Sequence, residues 1–151
     1  MANTYSSLFY HLVFSTKNRK KLISRDIETR VWSYIGGIVR NHDSTAVQIG
    51  GIEDHIHALV LAPPKNSVSQ LAKFIKTDSS KWIHNELSNR RSFRWQDGFS
   101  AFSVSRSVVP KVVEYIENQR LHHSNVSFED EYLELLRLHD IDSIDDAYIF
   151  G

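Results

Sequence analysis

Thr45-Ala46-Val47-Gln48-Ile49-Gly50-Gly51-Ile52-Glu53-Asp54-His55-Ile56-His57-Ala58-Leu59-Val60-Leu61 contains two β-rich runs, Thr45 to Ile52 and His55 to Leu61, on either side of Glu53-Asp54. Two such runs separated by a pair of turn-forming acids read as a hairpin, and Pro63-Pro64 closes it. Side chains alternate along a strand, so His55 and His57 point to one face, with Cα atoms about 6.5–7 Å apart, while Ile56 points to the other. Two imidazoles so placed can reach one divalent cation. Read alone, a His-x-His strand is more often ordinary than metal-binding.

Upstream, Tyr5 to Ser15 is rich in Phe, Tyr, Leu and Val and reads as a strand, followed by the basic turn Lys17-Asn18-Arg19-Lys20-Lys21. From Asp26 the apolar residues Ile27, Val31, Trp32, Ile35, Ile38 and Val39 recur at helical spacing, and Asn41 to Ser44 supplies a stop. Downstream, Ser67 caps a second helix with a buried stripe of Val68, Leu71, Ala72, Ile75, Trp82 and Ile83. Its other side presents Lys73, Lys76, Thr77, Ser80 and Lys81, which as a lone feature is more often simply solvated. Phe99 to Ser105 alternates as a further strand, Pro110 suits the first turn of a third helix, and a last helix spans Phe128 to Leu138 before an acidic tail. The order β-α-β-β-α-β-α predicts an α+β, ferredoxin-like sandwich: a mostly antiparallel sheet with helices on one face, plus a C-terminal helix and acidic tail.

The 151 residues, 41% of them hydrophobic, are enough for one domain over 1–151, with a core at about 5–121 and a C-terminal extension at about 122–151. With no cysteine, disulfides, thiolate zinc sites and cysteine nucleophiles are excluded. No apolar run approaches the roughly 20 residues of a membrane span, and no signal-peptide pattern opens the chain; the expectation is a cytoplasmic protein without a membrane partner. The 18 basic and 18 acidic residues are unevenly placed. Residues 1–120 hold 17 of the bases and 10 of the acids, whereas 121–151 hold Arg137 against eight acids. A basic body of this kind can hold phosphates.

A second motif follows on the third helix, in Val113-Glu114-Tyr115-Ile116-Glu117-Asn118-Gln119. Four residues apart, Tyr115 and Gln119 share a helical face. Alone, that too is ordinary amphipathic patterning. Together, a same-face histidine pair and a downstream Tyr-x-x-x-Gln helix are the parts needed for metal-assisted attack of a tyrosine on a phosphodiester.

On these residues, with His11-Leu12-Val13-Phe14-Ser15-Thr16-Lys17 and Trp95-Gln96-Asp97-Gly98-Phe99-Ser100-Ala101-Phe102-Ser103-Val104-Ser105, the chain resembles the HUH single-tyrosine transposases of small insertion sequences and the REP-associated tyrosine transposases. His122-His123 and Phe128 to Leu136 are similar to a C-terminal extension found in this group. The resemblance implies a divalent ion, Mg²⁺ or Mn²⁺, held by His55, His57 and Gln119, with Tyr115 as the nucleophile that nicks and rejoins single-stranded DNA through a 5′-phosphotyrosine. It also implies recognition of hairpin-containing element ends and a homodimer in which the tyrosine helix of one copy can serve the histidines of the other, with Ser103 to Ser107 as hinge. The remaining histidines have no evident partner, and no base for Tyr115 is named by the motifs. Lys17, Arg19, Lys20, Lys21, Lys73, Lys76 and Lys81 are the expected DNA-binding residues. The other readings are a replication or conjugation nickase, a domesticated DNA-binding protein that no longer cuts, and a small regulatory dimer with structural histidines.

Overall fold

A computed structural model of the chain describes residues 3–87 and 92–141. In chain order these form β1 (Phe9–Ser15), α1 (Arg25–Asn41), β2 (Thr45–Ile52), β3 (His55–Leu61), α2 (Val68–Glu86), β4 (Ser100–Val104), α3 (Val109–Glu117), α4 (Gln119–His122) and α5 (Phe128–Leu138). The strands lie in the order β2-β3-β1-β4, with every neighbouring pair antiparallel. This is the expected ferredoxin-like α+β arrangement, and the β2–β3 hairpin keeps its predicted bounds. β1 starts at Phe9 rather than Tyr5, whose side chain is 90% exposed. The acidic tail beyond Ile141 lies outside the described residues.

β1 and β3 are the central strands, and both of their faces are buried. Leu12, Phe14, Ile56, Ala58 and Val60 face α1 and α2, where Val31, Ile35, Leu71, Ile75 and Ile83 complete the main core. Ser67 stops α2 at its N-terminus with a capping box: its Oγ accepts the Gln70 amide at 3.1 Å, and Gln70 Oε1 accepts the Ser67 amide at 3.3 Å.

The other face carries the histidine pair. The expectation of helices on one face describes α1 and α2; α3, α4 and α5 lie across the second face. The reason is that its strand residues are largely apolar as well. Phe9 and Leu59 pack with Val109 and Ile116 of α3, and Val13 and Phe102 pack with Phe128, Tyr132 and Leu136 of α5. Histidines that an open sheet would leave in water are thereby buried.

α3 approaches β2 closely at Gly50, the residue opposite His57 in the ladder. A Cβ there would stand 2.9 Å from the Ile116 carbonyl oxygen. Gly50→Ala is therefore expected to push α3 away from the sheet and cost about 1–3 kcal/mol, read as a lowered melting temperature; unchanged stability would show that α3 does not pack this tightly.

Candidate active site

The alternation of β3 places His55 and His57 on the α3–α5 face, and both are fully buried. Each uses Nδ1 for an orienting contact and turns Nε2 inward. Asp54 Oδ1 accepts from His55 Nδ1 at 2.8 Å, and His57 Nδ1 lies 2.8 Å from His11 Nε2 on the adjacent strand. Such partners fix the ring and the tautomer presented to a ligand. His11, which has no evident partner in the sequence, is thus joined to the pair by the β1–β3 register, where Val13 lies opposite His57.

Gln119 is buried, and its Oε1 is 2.8 Å from His55 Nε2. The tyrosine helix is not continuous to this residue: α3 ends at Glu117, Asn118 leaves helical geometry with φ −98° and ψ 21°, and α4 begins at Gln119. Tyr115 and Gln119 still share one side, with Gln119 Nε2 donating to the Tyr115 carbonyl at 3.4 Å. The half-buried Tyr115 ring stands edge-on to His57 with centroids 5.5 Å apart. Within the one chain described, the tyrosine therefore stands beside the histidine pair.

What joins these groups is Glu131, which the sequence reading passed over. Its Oε1 lies 3.1 Å from His57 Nε2, 3.3 Å from His55 Nε2 and 3.2 Å from His123 Nε2, and its Oε2 accepts the hydroxyl of Tyr115. His122 and His123, for which the sequence shows no evident partner, both turn to it, because α4 makes a single turn before the chain folds back into α5. The available signal was an acid in the apolar stripe of α5, beside Phe128, Tyr132 and Leu135; Glu131 is only 3% exposed.

The electrostatics follow from burying one carboxylate among imidazoles. Burial alone would raise the pKa of Glu131, but its contacts with His123, His55 and His57 hold the carboxyl well below the usual carboxylate range. Burial opposes charge on His55, yet Asp54 and Glu131 overcome it and carry this histidine up to about 9. Burial keeps His11 neutral, lowered to about 3, and lowers His57 as well. Burial, reinforced by the Glu131 charge, pushes the Tyr115 phenol above its ordinary value.

Two donor sets fit a divalent ion: His55, His57 and Glu131, and His122, His123 and Glu131, each with its ligand atoms within 4.8 Å of one another. Nitrogen and oxygen donors without sulfur suit Mg²⁺, Mn²⁺ or Zn²⁺. Among the described residues, His122 Nε2 is a buried side-chain nitrogen with no hydrogen-bond partner, as a ligand-binding set would leave it.

The predicted DNA-binding residues divide. Lys17 and Lys76 meet at a cavity of about 400 Å³, lined also by Arg94, Trp95 and Asp97, at the end of β1 where Ser15 pairs with His55. Lys17 reaches Asp97 at 3.1 Å. Lys76 donates to the Gly98 carbonyl at 2.9 Å. Arg94 is an addition, brought there by the bridge between Thr16 and Trp95. Arg19 instead pairs with Glu129 of α5, and Lys20, Lys21, Lys73 and Lys81 are exposed and do not line this cavity. Among the described residues no helix is long and apolar enough to cross a membrane.

Comparison with known proteins gives one answer. The transposase of insertion sequence IS200 from Salmonella typhimurium strain LT2 is 26% identical over 125 residues, covering 79% of this chain and 81% of that protein. The ISDra2 transposase of Deinococcus radiodurans is 20% identical over 117 residues, covering 74% and 84%. Among solved structures, a transposase from D. radiodurans R1 superposes with a TM-score of 0.64 at 20% identity, covering 79% of this chain and 95% of that one. A REP-associated tyrosine transposase bound to a REP hairpin superposes with a TM-score of 0.59 at 16% identity, covering 83% and 74%. The model of the "Transposase IS200 like" family matches residues 4–119, from before β1 to the glutamine of the buried cluster, and the chain belongs to this transposase family.

Proposed function

We propose that this transposase cuts and rejoins single-stranded DNA through a covalent 5′-phosphotyrosine on Tyr115, with a divalent cation held by His55, His57 and Gln119 together with Glu131. The observation that carries the reading is the convergence of five side chains on one buried point: Tyr115 Oη and the His55 and His57 Nε2 atoms meet the Glu131 carboxylate, with Gln119 Oε1 beside them.

In the reaction, Tyr115 Oη attacks phosphorus and the 3′-oxygen leaves, so the phosphodiester energy is kept in the tyrosyl ester and a second 3′-hydroxyl can reverse the step without ATP. Without a cation the site keeps Tyr115 protonated, since burial and the Glu131 charge both oppose the phenolate. Mg²⁺ or Mn²⁺ would supply the positive charge that offsets this and screens the phosphate. Glu131 holds the hydroxyl in place and Gln119 braces the end of α3. Lys17, Lys76 and Arg94 serve as phosphate contacts beyond the site, with the exposed Lys20, Lys21, Lys73 and Lys81 adding to the general attraction for the strand. Hairpin-bearing element ends are the proposed substrates.

The test is cleavage of single-stranded DNA from the flanks of the gene, with and without Mn²⁺. The expected result is metal-dependent nicking and a protein–DNA adduct that survives boiling in detergent. Tyr115→Phe and His57→Ala proteins, each inactive alone, are expected to regain cleavage when co-expressed as a heterodimer in which the tyrosine helix of one copy serves the histidines of the other. Verified heterodimer without cleavage would reject that exchange and leave the metal and tyrosine assignments standing. Metal-independent nicking would overturn the role given to the cation.

A further inference from the structure

Beside the nucleophile lies a second cavity of about 370 Å³, whose lining does not include Glu131. It is within the range of about 300–1,000 Å³ common to small-ligand sites. The Tyr115 ring forms one wall, with His11 and Phe102 from the sheet and Leu135, Leu138 and His139 from α5 and its end. Phe102 and His139 are stacked, with centroids 4.2 Å apart at 25°, while His11 meets both Phe102 and Tyr115 edge-on. Among the described residues, the remaining lining includes Lys111, Ser103 and Ser105 and no carboxylate. The groups that the metal and the attack require do not account for this space.

Resting on the single-strand reading above, we infer that this cavity is a base pocket: it takes one unpaired nucleobase of the nucleotide next to the phosphate attacked by Tyr115. The occupant follows from place and chemistry. A phosphate within reach of Tyr115 Oη brings its neighbouring nucleotide to the same ring, and a base is a flat apolar body with a polar edge. Aromatic walls match the faces of such a body, a form of contact that is tolerant of base identity and widely used for single strands. The cation at Lys111 matches the adjoining backbone phosphates. For the polar edge, β4 is the outer strand among the described residues, so its outward amides and carbonyls are not engaged by a neighbouring strand, and Ser103 and Ser105 belong to the cavity lining. A duplex cannot enter, because its bases are stacked and paired; the pocket therefore selects single strands at the point of cutting.

Leu138 is 60% exposed and Val108 42% exposed, so a larger side chain at either can intrude on the cavity without disturbing the core. The experiment measures binding of oligothymidylate, oligoadenylate and an abasic phosphodiester strand of equal length, in chelator so that no cutting occurs. Wild type is expected to bind the base-bearing strands about ten-fold or more tighter than the abasic strand. In Leu138→Trp and Val108→Trp this advantage should fall to near unity while affinity for the abasic strand is unchanged. Retention of the full advantage in both variants overturns the pocket and leaves the catalytic assignments standing. A change of oligomeric state in place of a change in DNA affinity would assign the surface to a second copy of the chain, and also overturns it. No single-strand binding by wild type would overturn the pocket and the single-strand reading together. Photocrosslinking of a 5-iodouracil-substituted strand gives a separate readout: adducts at Phe102, Tyr115 or His139 support the pocket, and adducts confined to the Lys17–Lys76–Arg94 surface overturn it.

Discussion

Tyr115→Phe is expected to abolish cleavage and the covalent adduct while leaving the fold and the metal site in place. The substitution removes one oxygen and keeps the ring, so the contacts with His57, His11 and His122 survive. Glu131 loses one donor, a hydrogen bond to a charged group worth about 1.5–3 kcal/mol, but keeps His55, His57 and His123 within 3.3 Å. A modest fall in melting temperature should therefore accompany a loss of activity on the order of 10⁶-fold, the scale seen when a covalent nucleophile is removed from another enzyme. Cleavage on single-stranded DNA, thermal unfolding and Mn²⁺ titration read the three quantities independently. An adduct mapped to Tyr5, Tyr10, Tyr34, Tyr132 or Tyr148 would overturn the assignment. Tyr132 is a poor candidate on the structure, since it is buried and its hydroxyl is engaged by Ser100.

The parts of this site that are legible in the sequence are those set by local periodicity. A two-residue repeat puts His55 and His57 on one face of β3, and a four-residue spacing keeps Tyr115 and Gln119 on one side even though Asn118 interrupts the helix. The hairpin and the alternation of strands with helices also follow from local patterns, and with them the order β2-β3-β1-β4. What spacing cannot convey is how the second face of the sheet is covered. Glu131 is 74 residues from His57 and meets it only because α5 packs over β1 and β4 beside it. His11 depends on strand register, and His122 and His123 depend on the abrupt end of α4. Arg94 is likewise invisible until Thr16 bridges Trp95. In each case the deciding contact is tertiary, and the chemistry of the residue alone does not single it out.

Removal of a histidine should have the largest effect on metal binding, and the fate of Glu131 tests how the centre is built. His57→Ala and His55→Ala each delete a nitrogen ligand that Asp54 or His11 holds in position. Loss of an orienting partner alone commonly costs 10–100-fold in metal affinity, so loss of the ligand itself should exceed about 100-fold, read by calorimetric titration with Mn²⁺. Gln119→Ala should cost less, because a neutral carbonyl is a weaker ligand that water can replace. Glu131→Gln keeps the volume but removes the negative charge that the histidine Nε2 atoms face. If the carboxylate is a ligand, Mn²⁺ binding should weaken more than in Gln119→Ala, since an anionic oxygen attracts a dication more strongly than an amide does. Tighter binding in Glu131→Gln would instead show that the carboxylate competes with the cation for the histidines, and that α5 must withdraw it before the ion can enter. Equal Mn²⁺ affinity in wild type and in the double variant His55→Ala, His57→Ala would remove the metal centre from this face of the sheet altogether.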